Sequence, residues 1–100
     1  MKTLFSALIA VGVLASSQLA LADCQSLAQD LYTAQGYQQR CGYQLKQTPQ
    51  ISAQFKEQKC ASTLSDADKN KLLNKVNSQL NSSFNASKNQ SCEEGKQRFN

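Results

Sequence analysis

Apolar positions along this chain fall into two regimes. From Leu4 to Ala15 almost every residue is apolar, and no charge separates Lys2 from Asp23. Beyond Asp23 the apolar residues become sparse and recur at steps of three and four, the period of a helix buried along one face. Alternating apolar and polar runs, the mark of a half-buried strand, are few, and this part has one Val and one Ile. The pattern therefore predicts an all-α domain of three or four short helices.

The first predicted helix spans Cys24 to Leu45. Cys24, Leu27, Ala28, Leu31 and Ala34 share a face that Cys41 and Leu45 continue. Gly36 marks a position for a kink or break, since glycine costs about 1 kcal/mol relative to alanine in a helix. Tyr32, Tyr37 and Tyr43 belong at the margins of that face. Thr48-Pro49 is a start signal, with Thr able to cap and Pro suited to the first helical position. It predicts a second helix over about Gln50 to Cys60, with Ile51 and Phe55 one turn apart. Ser65-Asp66-Ala67-Asp68 opens a third: the Ser65 side chain can accept from the Asp68 amide, and both carboxylates suit the positive end of the helix dipole. Leu72, Leu73, Val76, Leu80 and Phe84 then fill an arc of roughly 120°. Ser91-Cys92-Glu93-Glu94 reads as another capping box, opening a final helix that ends near Phe99. The polar stretch from Asn85 to Ser91 reads equally as a disordered connection.

The N-terminal run is too short for a membrane span. Its apolar part covers about 12 residues against the roughly 20 that a span needs, and Ser16-Ser17-Gln18 interrupts it. A basic start, an apolar middle and Ala20-Leu21-Ala22 form a cleaved signal peptide of bacterial style, residues 1–22. Lipidation at Cys24 is disfavoured, because Asp23 stands where a lipobox needs a small residue. The expected domain is then residues 23–100, exported to the periplasm or secreted. The leader also reconciles a 40% hydrophobic content with a mean hydropathy of −0.52. Without it, 25 of 78 residues are apolar, 20 are Gln or Asn, and the net charge is +3. So small and polar a chain buries little apolar surface and needs reinforcement.

Four cysteines in an exported chain supply that reinforcement as two disulfides. Cys24, Cys41, Cys60 and Cys92 are separated by 16, 18 and 31 residues, with no C-x-x-C pair for thiol exchange and no closely spaced pair for structural zinc. Helix geometry selects among the three pairings. On one continuous helix Cys24 and Cys41 lie about 25 Å apart, while a disulfide needs Cα atoms within about 7 Å. Folding the second helix back carries Cys60 to Cys24, and the third returns Cys92 toward Cys41. Cys24–Cys60 with Cys41–Cys92 is the predicted pairing, and Cys41–Cys60 with Cys24–Cys92 the runner-up.

Candidate chemistry is thin. There is no His, hence no imidazole base, ligand or pH switch. The close carboxylates, Asp66/Asp68 and Glu93/Glu94, sit at proposed helix starts, where capping accounts for them. No catalytic residue, cofactor or metal site is expected, and the chain reads as a non-enzyme. Lys56, Lys59, Lys69, Lys71, Lys75 and Lys88 carry most of the positive charge, but they lie among polar residues and away from aromatics, unlike a nucleic-acid surface. The sequons at Asn81, Asn85 and Asn89 are what an Asn/Ser-rich stretch supplies by chance. One regularity remains. Asn70, Asn74, Asn77, Asn81, Asn85 and Asn89 recur at helical steps, forming an amide stripe away from the leucine face and a candidate interaction surface. The expected function is binding of an unidentified protein partner, as an inhibitor, immunity or accessory protein, without nucleic acid or a stable membrane anchor. The alternative is a small cationic secreted effector acting on membranes or a competitor.

Overall fold

The computed structural model describes residues 23–100; the predicted leader, 1–22, lies outside them. Five helices and no strand occur among the described residues: α1 (23–41), α2 (Gln47–Glu57), α3 (Cys60–Thr63), α4 (Asp66–Ala86) and α5 (Lys88–Phe99). Cys24 pairs with Cys60 and Cys41 with Cys92, at Cα separations of 5.1 and 5.8 Å. The ruler argument thus selected the right connectivity, because α1 is one unbroken helix with a cysteine at each end.

Gly36 does not kink α1. It is the point of closest approach to α4, where a methyl group in place of its hydrogen would run into the Leu80 side chain. The helix stops earlier than Leu45, at Cys41. Gly42 follows with φ +71°, the left-handed closing residue that glycine adopts freely, and its amide donates to Gln38 O at 2.9 Å. The Gln38 side chain then accepts from the Leu45 amide at 3.0 Å. That turns Leu45 inward, where it is buried.

Helix α2 starts three residues before the predicted position, at Gln47. Thr48 is inside its first turn rather than at the cap, and Lys46 precedes the helix without a side-chain cap. A tertiary contact substitutes: the Lys46 amide donates to Asn100 Oδ1 at 3.1 Å. Pro49 is tolerated because the first-turn amides have no intrahelical partner in any case. The helix also ends before Cys60. Lys59 takes the left-handed conformation at φ 55°, and that turn swings Cys60 into the core as the first residue of α3.

Helix α4 begins as predicted, with the Asp68 amide donating to Ser65 Oγ at 3.1 Å. Of its predicted apolar arc, Val76 and Leu80 are buried and Leu72 and Phe84 half-buried. Leu73 is 41% exposed: it lies below Phe84 on the same edge of the helix and is no part of either core cluster. Gly36 against Leu80, Tyr37 against Phe84 at 5.9 Å and Arg40 on Asn81 at 2.8 Å show α1 and α4 running parallel, with α2 returning the chain between them.

Residues 85–91 are ordered: α4 closes, Ser87 intervenes and α5 opens. The cap of α5 is Ser87, four residues before the predicted Ser91, and its Oγ accepts from the Gln90 amide at 3.3 Å. Ser91 is instead buried inside the helix, its hydroxyl 2.8 Å from that of Ser83. Glu93 and Glu94 consequently lie mid-helix, not at a cap. With Cys92 bridged to Cys41 and Arg98 paired to Asp30 at 3.3 Å, α5 runs antiparallel to α1.

Two small core clusters result. Cys24, Ala28, Cys60 and Leu64 form one around the first bridge. Ala34, Tyr37, Leu45, Val76, Leu80 and Phe99 form the other. Helix α1 contributes to both and is the axis of the domain.

Candidate functional site

Helix α4 is 21 residues long yet buries only Val76 and Leu80. Leu72 and Phe84 pack half-buried beside them, and away from that side the structure places Asn70, Asn74, Asn77, Asn81 and Asn85, all exposed. Asn89 is exposed too, but the break at Ser87 puts it on α5, so the predicted six-residue stripe is five residues on one helix. One member is engaged within the chain. Asn81 Oδ1 accepts from Arg40 Nη2, and the Arg40 guanidinium lies 5.5 Å from the centre of the Phe84 ring. Arg40 Nη1 is buried with no hydrogen-bond partner among the described residues. The other four amides on α4 extend one polar face along a helix of about 30 Å.

The charge along this stretch of sequence has one sign. From Lys69 to Cys92 there are four lysines and no acidic residue. The acidic residues flank it, Asp66 and Asp68 in the first turn of α4 and Glu93 and Glu94 on α5.

A second feature escaped sequence reasoning. The one-residue connection at Ser87 folds α5 back along α4, and two shallow cavities of about 180 and 190 Å³ lie along their seam and share Ser83. The first is lined by Ser83, Ala86, Ser87, Gln90, Ser91 and Glu94. The second has an apolar floor of Tyr37, Val76 and Leu80, with Arg98 on its α5 side. The signals were present as Ser83 and Ser91 and as Glu94 and Arg98, but only the position of the cap at Ser87 gives them a common direction. Ser83 and Ser91 share a hydrogen bond with each other, and neither has a basic partner to activate it. The arrangement can accept hydrogen bonds and shelter an apolar group; it assembles no proton-transfer relay.

Tyr37 forms the floor of this seam. Burial foremost, with the Glu94 carboxylate adding and the Arg98 guanidinium opposing, pushes its phenol above the ordinary 10.0. Tyr43, whose hydroxyl donates to Cys92 O at 2.8 Å, is raised mainly by burial, then by Tyr37 and Glu93. A phenol whose pKa is higher folded than unfolded stabilises the fold below pH 10.0, and that contribution is lost as pH rises through the folded value. Alkaline titration should therefore show phenolate absorbance rising above pH 10 together with loss of helix. Tyr37→Phe should remove one late-titrating phenol and lessen the alkaline unfolding. A Tyr37 phenolate appearing below pH 10 with the helices intact would contradict this assignment.

The four cysteines are all in bridges, and no free cysteine occurs among the described residues. Among those residues, no group of three or more Cys, Asp or Glu is placed to hold a metal, and no helix is long and apolar enough to cross a membrane. No family model, curated protein or solved structure matches the chain.

Proposed function

We propose that this chain is an exported, non-enzymatic helical domain that binds another exported protein, as an inhibitor, immunity or accessory protein, through the outer face of α4. The observation that carries this reading is the exposure of five asparagines along a helix that fully buries only Val76 and Leu80. Asparagine is a poor helix former, costing roughly 0.5 kcal/mol per site relative to alanine. Five on one exposed face work against the stability of a domain with little to spare. An amide both donates and accepts, so such a face can match the backbone and side-chain groups of a protein surface. Lys71 and Lys75, both exposed on α4, favour a partner whose matching surface is acidic. The two disulfides fit an oxidising compartment, and the leader-like N-terminus supplies the route to one.

The test is capture from periplasm and culture medium by the mature chain and by an Asn74→Ala/Asn77→Ala/Asn85→Ala variant. Asn81 is left intact because it holds Arg40. A specific partner should be retained by the parent chain and bound at least ten-fold more weakly by the variant, whose melting temperature should stay level or rise. Undiminished capture by a folded variant removes the α4 face from the reading. Dye release from anionic vesicles by the mature chain would favour the membrane-active alternative.

A further inference from the structure

The two bridges are not equivalent. Cys24 and Cys60 are 2% and 0% exposed, sealed within the smaller core cluster. Cys41 and Cys92 are both half-buried, so theirs is the less enclosed of the two bridges. What each bridge holds also differs. Cys24–Cys60 joins α1 to α3, at the turn through which the chain reverses. Cys41–Cys92 ties α5 to the end of α1.

Helix α5 has little else to hold it. Its buried residues are Ser91, Gly95 and Phe99, of which only Phe99 brings a large apolar side chain. The Arg98–Asp30 pair at 3.3 Å is exposed on both sides, with side chains 54% and 45% accessible, where ion pairs contribute little. Hydrogen bonds run from Tyr43 to Cys92 O and from the Lys46 amide to Asn100, Gly95 seats against Tyr37 and Tyr43, and Ser91 bonds to Ser83 of α4. At the same time α5 is one wall of both seam cavities, and Phe99 covers Tyr37 with ring centres 6.2 Å apart.

We infer that Cys41–Cys92 is a redox latch: its reduction by a dithiol releases α5 and opens the apolar groove floored by Tyr37, Val76 and Leu80. The chemistry is thiol–disulfide exchange. A thiolate of the dithiol attacks one sulfur of the bridge, and a mixed disulfide forms as the other cysteine leaves as thiolate and takes a proton. The second thiol of the reductant then displaces the first cysteine. Two electrons pass to the protein, two cysteine thiols form, and the dithiol is oxidised to its own disulfide. Cys24–Cys60 stays closed and keeps α1 joined to α3, so that α1 and α4 remain in register through Gly36 and Leu80. This inference is independent of the partner proposed for the outer face of α4.

The test is graded reduction of the full mature chain with dithiothreitol, followed by acid quench, alkylation and peptide mapping. A two-label species should become the major form before any four-label species, with both labels on Cys41 and Cys92. In it, hydrogen exchange of amides 88–99 should accelerate at least 100-fold, while 26–38 and 70–82 keep protection within ten-fold of the oxidised protein. A Cys41→Ala/Cys92→Ala variant should reproduce the exchange pattern without reductant and bind an apolar dye that the oxidised parent does not. Labels arriving first on Cys24 and Cys60, all four arriving together, or a two-label species with α5 still protected would each overturn the latch. So would global unfolding of the double variant, since α5 would then not be separable from the rest.

Discussion

Replacing Cys24 and Cys60 with alanine is expected to lower the stability of the domain by about 4 kcal/mol, read as a shift of the denaturant midpoint. The bridge closes a loop with a sequence separation of 36, and loop-closure entropy for that length is about 4 kcal/mol. The loss is global because of what the bridge holds in place. Its cluster contains only four buried residues, Cys24, Ala28, Cys60 and Leu64, and two of those are the cysteines themselves. Without the bridge, Lys59 must still hold its left-handed turn, and α3 has a single helical turn with which to dock. A domain of this size has roughly 4–12 kcal/mol in all, so the variant should be substantially unfolded at ambient temperature. Removing Cys41 and Cys92 opens a still longer loop, of sequence separation 51, but the loss should be confined to α5 and its contacts because Cys24–Cys60 still holds α1 to α3. A Cys24→Ala/Cys60→Ala variant that loses less than about 1.5 kcal/mol would show that packing alone carries this end of the molecule.

The disulfide pairing could be read in the sequence because it follows from a rigid length. A helix of 17 steps cannot bring its ends together, and that fact eliminates one pairing whatever the side chains do. The cap at Ser65 was legible for a similar reason: serine, two aspartates and an apolar arc all agree over a few residues. The cap of α5 was not. Ser87 and Ser91 are both plausible from local chemistry, and the choice falls to Ser87 because Ser91 can then bury its hydroxyl against Ser83. Tertiary contacts decided the other misplaced elements as well. Helix α2 begins at Gln47 because Asn100, half the chain away, takes the Lys46 amide. Leu73 satisfies the helical arc yet stays exposed, since at that level the cluster of Cys24, Ala28, Cys60 and Leu64 meets Leu72 instead. The asparagine face was visible as a periodicity, but that Asn81 is committed to Arg40, and that Asn89 lies beyond a break, depend on where the helices cross. The seam between α4 and α5 had no sequence signature beyond residues whose relation the Ser87 cap creates.

Gly95→Val is expected to destabilise the domain by about 3 kcal/mol, the upper range for overpacking a tight contact. Gly95 is buried on the inner face of α5. A Cβ there would stand 2.7 Å from Cγ and Cδ1 of Tyr37 and would also collide with the Tyr43 hydroxyl. Neither tyrosine can yield cheaply. Tyr37 is 7% exposed and packed between Phe84 and Phe99, with ring centres at 5.9 and 6.2 Å. Tyr43 is held by its hydrogen bond to Cys92 O, and moving it would break that bond. The helix must therefore lift, and Phe99, one turn on, lifts with it. Gly95→Ala separates this contact from simple helix propensity. In an isolated helix that substitution gains about 1 kcal/mol; against two aromatic side chains it should instead lose about 1–2 kcal/mol. Denaturant unfolding gives the sign, and near-ultraviolet dichroism should show the tyrosines losing their fixed environment in the valine variant. If Gly95→Ala stabilises the protein, the close seating of α5 on Tyr37 and Tyr43 is wrong, and the wall that α5 gives the groove is wrong with it.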